Sequence, residues 1–84
     1  MLYKLQKPFD YGKKTYTEVE LREDYLVNDV VRIQNAHDKG SGSAFLAVLT
    51  AATGWDATML AAVSSVDAVE IAKAVTPFLG NGLE

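Results

Sequence analysis

The sequence predicts an α+β fold: an N-terminal antiparallel β-hairpin packed on a small bundle of three to four α-helices. Three observations predict it. Side chains alternate with a period of two through Leu2–Lys7 and, more cleanly, through Thr15–Arg22. After Asp24 the apolar spacing becomes that of a helix. Beyond it, Ser, Asp and Gly residues cut the chain into helix-sized pieces.

The first strand covers Leu2 to Lys7, with Leu2, Lys4 and Gln6 on one face and Tyr3, Leu5 and Lys7 on the other. Pro8 is expected to stop it, and "DYGKK" supplies a turn in which Gly12 takes positive φ. Thr15 to Arg22 forms the second strand. Thr15, Thr17, Val19 and Leu21 share its inner face, while Tyr16, Glu18, Glu20 and Arg22 point away. A lone hairpin is marginal in water, so this one must pack on the helices or pair with a strand of another chain.

The first helix carries Leu26, Val30 and Ile33 at helical spacing, with Val27 and Val31 beside them. Asn28 or Asp24 caps its start, and the helix ends before the flexible loop "HDKGSGS". Ser43 then caps a helix over Ala44–Thr53, apolar nearly all round and therefore central and buried, which Gly54 stops. Asp56 caps a short helix through Met59, Leu60 and Val63. Ser64 caps the last helix, with Asp67 three residues on in the manner of a capping box. That helix runs to about Leu79, past Pro77, and Gly80 ends it. Its core stripe is Ala68, Ile71, Ala72, Val75, Phe78 and Leu79, and Asp67, Glu70 and Lys73 face water. Residues 1–82 read as one domain, and Leu83-Glu84 as the remnant of an expression tag.

Composition narrows the function. At 84 residues the chain buries about 60–70% of its unfolded surface, enough for one modest core. A 49% hydrophobic content excludes a disordered polar chain. The absence of cysteine excludes disulfides and thiolate metal sites, and favours an intracellular setting. Eight Lys and Arg against eleven Asp and Glu leave a net charge of −3, which argues against nucleic acid and anionic membrane as partners. The apolar stretch Ala44–Val63 is broken by Thr50, Thr53, Gly54, Asp56 and Thr58, too polar to span a bilayer, and no signal peptide is visible.

No motif points to catalysis or to a cofactor. His37 is the sole histidine, and a place at a helix C-terminus explains it. Glu18, Glu20, Glu23, Asp24 and Asp29 are numerous acids, but nothing implies the burial that tunes catalytic carboxylates. "GSGS" precedes a helix, yet it lacks the Lys-Ser/Thr of a P-loop, and Phe45 stands where a dinucleotide fingerprint needs glycine. Trp55, at a helix junction, reads either as a lid on the core or as an aromatic anchor for a partner.

The order of these features resembles the phage tail assembly chaperone family of P2-like and Mu-like phages. The resemblance lies in "LQKPFDYGKKTYTEVELRE", in Asp29 opening a helix, in "LTAATG" at Leu49–Gly54, in Asp67 of the last helix, and in Phe78-Leu79 near the end. It covers nearly the whole chain. Asp24 stands where the family commonly has a proline.

This resemblance implies a non-catalytic binding protein, without cofactor or metal, that holds the long helical tape measure protein during tail assembly. It implies action in the cytoplasm of the bacterial host, absence from the mature virion, and a frameshift-extended form of the same chain as a further partner. Self-association is compatible with it. A chaperone of an apolar helix needs adaptable apolar surface beside a charged face. Trp55, Met59, Phe78 and Leu79 are the candidate partner-binding residues, and the same four suit a core equally well. The alternative is a small regulatory or structural protein-binding module unrelated to tails.

Overall fold

The computed structural model describes residues 1–83; Glu84, half of the pair read as a tag remnant, lies outside them. The elements are β1 (Leu2–Tyr11), β2 (Lys14–Glu20), α1 (Val27–His37), α2 (Ser41–Thr53), α3 (Ala57–Leu60), α4 (Ser65–Val75) and a 3₁₀ helix, Thr76–Leu83. The expected α+β architecture is present: a two-stranded antiparallel hairpin is followed by helices, and β1 packs on α4. Val19 and Leu21 from the hairpin side meet Leu49 and Ala52 of α2, Leu60, and Ala68, Ile71 and Val75 of α4 in one core.

Pro8 does not stop β1. The strand runs on to Tyr11, and the chain turns through Gly12, at φ +65°, and Lys13. The reason lies in the register. Lys4 pairs with Glu18 and Phe9 with Tyr16, so four residues of β1, Leu5–Pro8, lie opposite Thr17 alone. Proline, which has no N–H to donate, is tolerated in such a bulge. The bulge also changes which β2 side chains face inward. Val19 and Leu21 are buried as expected, but nearer the turn it is Tyr16 that is half-buried, not Thr15 or Thr17. Its ring stacks on Phe9 with centroids 5.3 Å apart, and Trp55 stands edge-on to both, at 5.6 and 5.5 Å.

The helices differ from expectation mainly at their ends. α1 starts at Val27, and its flanking residue is Leu26, not Asp24 or Asn28. Asp29 accepts the Leu26 N–H at 2.9 Å, the half of a capping box that an N3 carboxylate can make. Of the residues at helical spacing, Leu26 is exposed and Ile33 is buried.

α2 begins two residues before Ser43, so Asp38–Gly40 alone join the two helices and no long flexible loop exists. α2 is not buried all round either: Ala44, Leu49 and Ala52 face the core, while Phe45 and Leu46 are exposed. Gly54 ends the helix in the left-handed conformation (φ +77°), its N–H bonded to Thr50 O, where a side chain would be strained.

Asp56 caps α3 as expected, accepting Met59 N–H at 2.9 Å, although the helix stops before Val63. Ser64 caps α4 by accepting Val66 N–H at 3.3 Å. The α-helix ends at Val75, not Leu79; the chain then tightens into the 3₁₀ helix through Pro77, and Gly80 does not end it. Ala68, Ile71, Val75 and Leu79 are buried; Phe78 is not.

Candidate interaction surface

Two polar constructions tie the elements together, and the second of them borders the surface. The first is Asp67. The expectation that it faces water is overturned, because it is fully buried. At N3 of α4 its carboxylate turns away from Ser64 and toward the bulge of β1. Oδ1 accepts the Gln6 N–H and the Tyr3 hydroxyl, each at 2.8 Å, and Oδ2 accepts the Lys7 N–H at 3.0 Å. The bulge removes these amides from pairing with β2, and a carboxylate satisfies both.

Burial alone would raise the carboxyl's pKa. The two amide bonds and the Tyr3 hydroxyl outweigh that and hold it below the ordinary value, so Asp67 is ionised. Burial, then the Asp67 bond, push the Tyr3 phenol up to about 12. Glu70 and Lys73, the other two residues expected to face water, do so and form an ion pair at 3.7 Å.

The second construction occupies "LREDYLVND". Arg22 N–H donates to Ala52 O at 3.0 Å, tying the strand exit to the end of α2. The Arg22 guanidinium donates to Asp24 O at 3.0 Å and to Asp29 Oδ2 at 3.2 Å, and lies 5.2 Å from the centre of the Tyr25 ring. The bond from Leu26 N–H, with Arg22 beside it, holds the Asp29 carboxyl below the ordinary carboxylate range. Asp29 is thus bound on one side to the start of α1 and on the other to a cation joined to α2. These charges organise a junction.

Beyond that junction α1 and α2 run side by side and leave an open groove. Two adjoining hollows of about 280 and 420 Å³ share Arg32, Ala47 and Thr50. The floor is small and apolar: Ala36 from α1, Ala47 and Ala51 from α2. Leu46, exposed, forms part of one wall; Arg22, Arg32 and Lys39 supply the cations. Asp29 is the one carboxylate among the lining residues, and Arg22 already pairs with it. On the flank of α1 away from the groove, Leu26, Val27 and Val31 are exposed, Val27 to 79%.

The four residues singled out in the sequence divide. Met59 and Leu79 are buried, at 7% and 5% exposure, and serve the core. Trp55 is half-buried in its aromatic cluster with Phe9 and Tyr16. Phe78 is exposed at 42%. None of the four lines the α1–α2 groove. Sequence reasoning missed the groove because it ranked residues by size. The usable signal was the pairing of a cation with a small residue four positions on, Arg32 and Ala36 on one face of α1, with Lys39 just past the helix end.

His37 ends α1 and is exposed. Among the described residues no group of three or more His, Cys, Asp or Glu is placed to hold a metal ion, and no helix is long and apolar enough to cross a membrane. Comparison of the chain with protein-family models, with curated proteins and with solved structures gave no match.

Proposed function

We propose that this chain is a non-catalytic tail assembly chaperone of a phage or prophage, which binds the tape measure protein and keeps it soluble while the tail is built. The sequence resemblance suggests the role. The observation that supports it in the fold is the unfilled apolar surface of the α1–α2 pair: a groove with an alanine floor, exposed Phe45 and Leu46, and the exposed flank of Leu26, Val27 and Val31. An amphipathic helix is recognised by laying its apolar side in such a groove. A charged exterior then keeps the complex in solution. In this reading the protein acts in the host cytoplasm, leaves before the virion matures, and shares its fold with a frameshift-extended form.

The test is co-expression with fragments of the tape measure protein encoded beside it. The expected result is a soluble fragment that co-purifies with this chain. A fragment whose solubility and recovery are unchanged sinks the role. The alternative, a protein-binding module unrelated to tails, would use the same surface. A gene neighbourhood with neither a tape measure gene downstream nor a slippery sequence near the end of this gene would favour it.

A further inference from the structure

We infer that the α1–α2 groove is the docking site for an acidic amphipathic helix, with Arg32 and Lys39 as the residues that select it. The inference deepens the chaperone reading and rests on it to the extent that the partner is a helix. Arg32 stands on α1 and Lys39 in the short turn that follows it, and both line the same hollow. Both are exposed, and among the described residues neither takes part in an ion pair. In a chain of net charge −3, the lining carries three cations against one carboxylate, and that carboxylate is neutralised by Arg22. The lining therefore carries a net positive charge in a chain that is net negative, and Arg32 as well as Arg22 interacts electrostatically with Asp29.

The shape specifies the rest. Ala36, Ala47 and Ala51 let a third helix approach closely, its ridge of side chains lying between those of α1 and α2. Exposed Leu46 offers apolar contact on the α2 side, so a partner with apolar residues there and carboxylates toward α1 satisfies both walls. Carboxylates at two points along the partner, one toward Arg32 and one toward Lys39, complete the match. A polyanion such as nucleic acid would find only a few cations here, no aromatic side chain in the lining to stack on, and a net negative chain around it.

The probe is a synthetic amphipathic helical peptide of about 18 residues, five turns at about 3.6 residues each. It has a Leu/Ala stripe and Glu at two positions seven apart, and its counterpart carries Lys at those positions. Binding is followed by fluorescence anisotropy at low and high salt, and the site is mapped by amide chemical shifts. The expected result is shifts at Ala47 and Thr50, weaker binding in high salt, and a preference of about tenfold or more for the acidic peptide. The double variant Arg32→Glu/Lys39→Glu should invert that preference without changing the circular dichroism spectrum.

Equal binding of the two peptides, no binding of either, shifts confined to Val27 and Val31, or an indifferent double variant would each overturn the inference. Failures of the two readings are separable. A tape measure fragment that co-purifies equally well with wild type and double variant removes the groove and leaves the chaperone role. A peptide preference that holds, beside a fragment that never binds, leaves the groove and removes the chaperone role.

Discussion

The hairpin–α4 junction and the α1–α2 groove are both polar and apolar in mixture, yet they are built to opposite ends. At the first, one buried carboxylate has each oxygen bonded, three donors converge on it, and no room is left. At the second, the cations are exposed, the floor is small, and two of the three cations have no ion-pair partner among the described residues. Polar groups that are buried and satisfied fix one arrangement, because leaving any of them unpaired is costly. Polar groups left in water are nearly neutral for folding and free to be satisfied by something else. The fold is closed at the first of these places and left open at the second.

That contrast is sharpest under mutation. Asp67→Ala should have the largest effect, a loss of about 3–5 kcal/mol in urea denaturation, since two buried amides and a hydroxyl lose their acceptor together. A cost under about 1 kcal/mol would mean that water replaces the carboxylate and the junction is not closed. Tyr3→Phe removes one of the three bonds and should cost about 1 kcal/mol by the same measurement.

Acid should act on this junction too. The folded pKa of Asp67 lies below its ordinary value, about 3.9 in an unfolded chain, so its contribution is complete above that value and is lost as pH falls through the folded one. The stability gap between wild type and Asp67→Asn should accordingly be constant near neutrality and shrink only in strong acid. A gap that closes already near pH 6 would contradict the sign of the shift.

On the other side the effects should be small. Arg22→Ala loses exposed bonds to Asp24 O and Asp29 and should cost about 1 kcal/mol, less in high salt, where the Asp29 pair is screened. Smallest of all, Val31→Thr on the exposed flank of α1 should leave the denaturation midpoint within about 0.5 kcal/mol of wild type. A large loss there would mean the flank is already covered, by a second copy of the chain.

The same contrast explains what could be read in advance. Ser64, Asp56 and Gly54 act within their own helix ends, so local rules placed them. Val19, Ile33, Ile71 and Val75 follow from periodicity alone. Asp67 was misplaced because its partners lie about sixty residues away, on amides that exist as free donors only because β1 bulges. Pro8 was read as a terminator for the same reason. Leu26 fits the helical spacing in the sequence yet lies outside α1, because the bond that sets the helix start, Leu26 N–H to Asp29, involves a flanking residue with no polar side chain to mark it. The candidate surface was the least legible part, since alanines and unpaired cations announce themselves only once two helices are side by side.

The sixty residues between the Lys7 amide and the Asp67 carboxylate also set an order of events. During synthesis the hairpin emerges first, but the group that satisfies its bulge is made only when α4 is translated. Closing so long a loop is slow relative to forming a helix or a two-residue turn. The Gln6 and Lys7 amides of the bulge therefore wait for their acceptor until α4 is made, even though α2 can already meet Val19 and Leu21. A truncation of this chain before α4 leaves a nascent strand pair seeking a partner, and such a fragment is headed for aggregation.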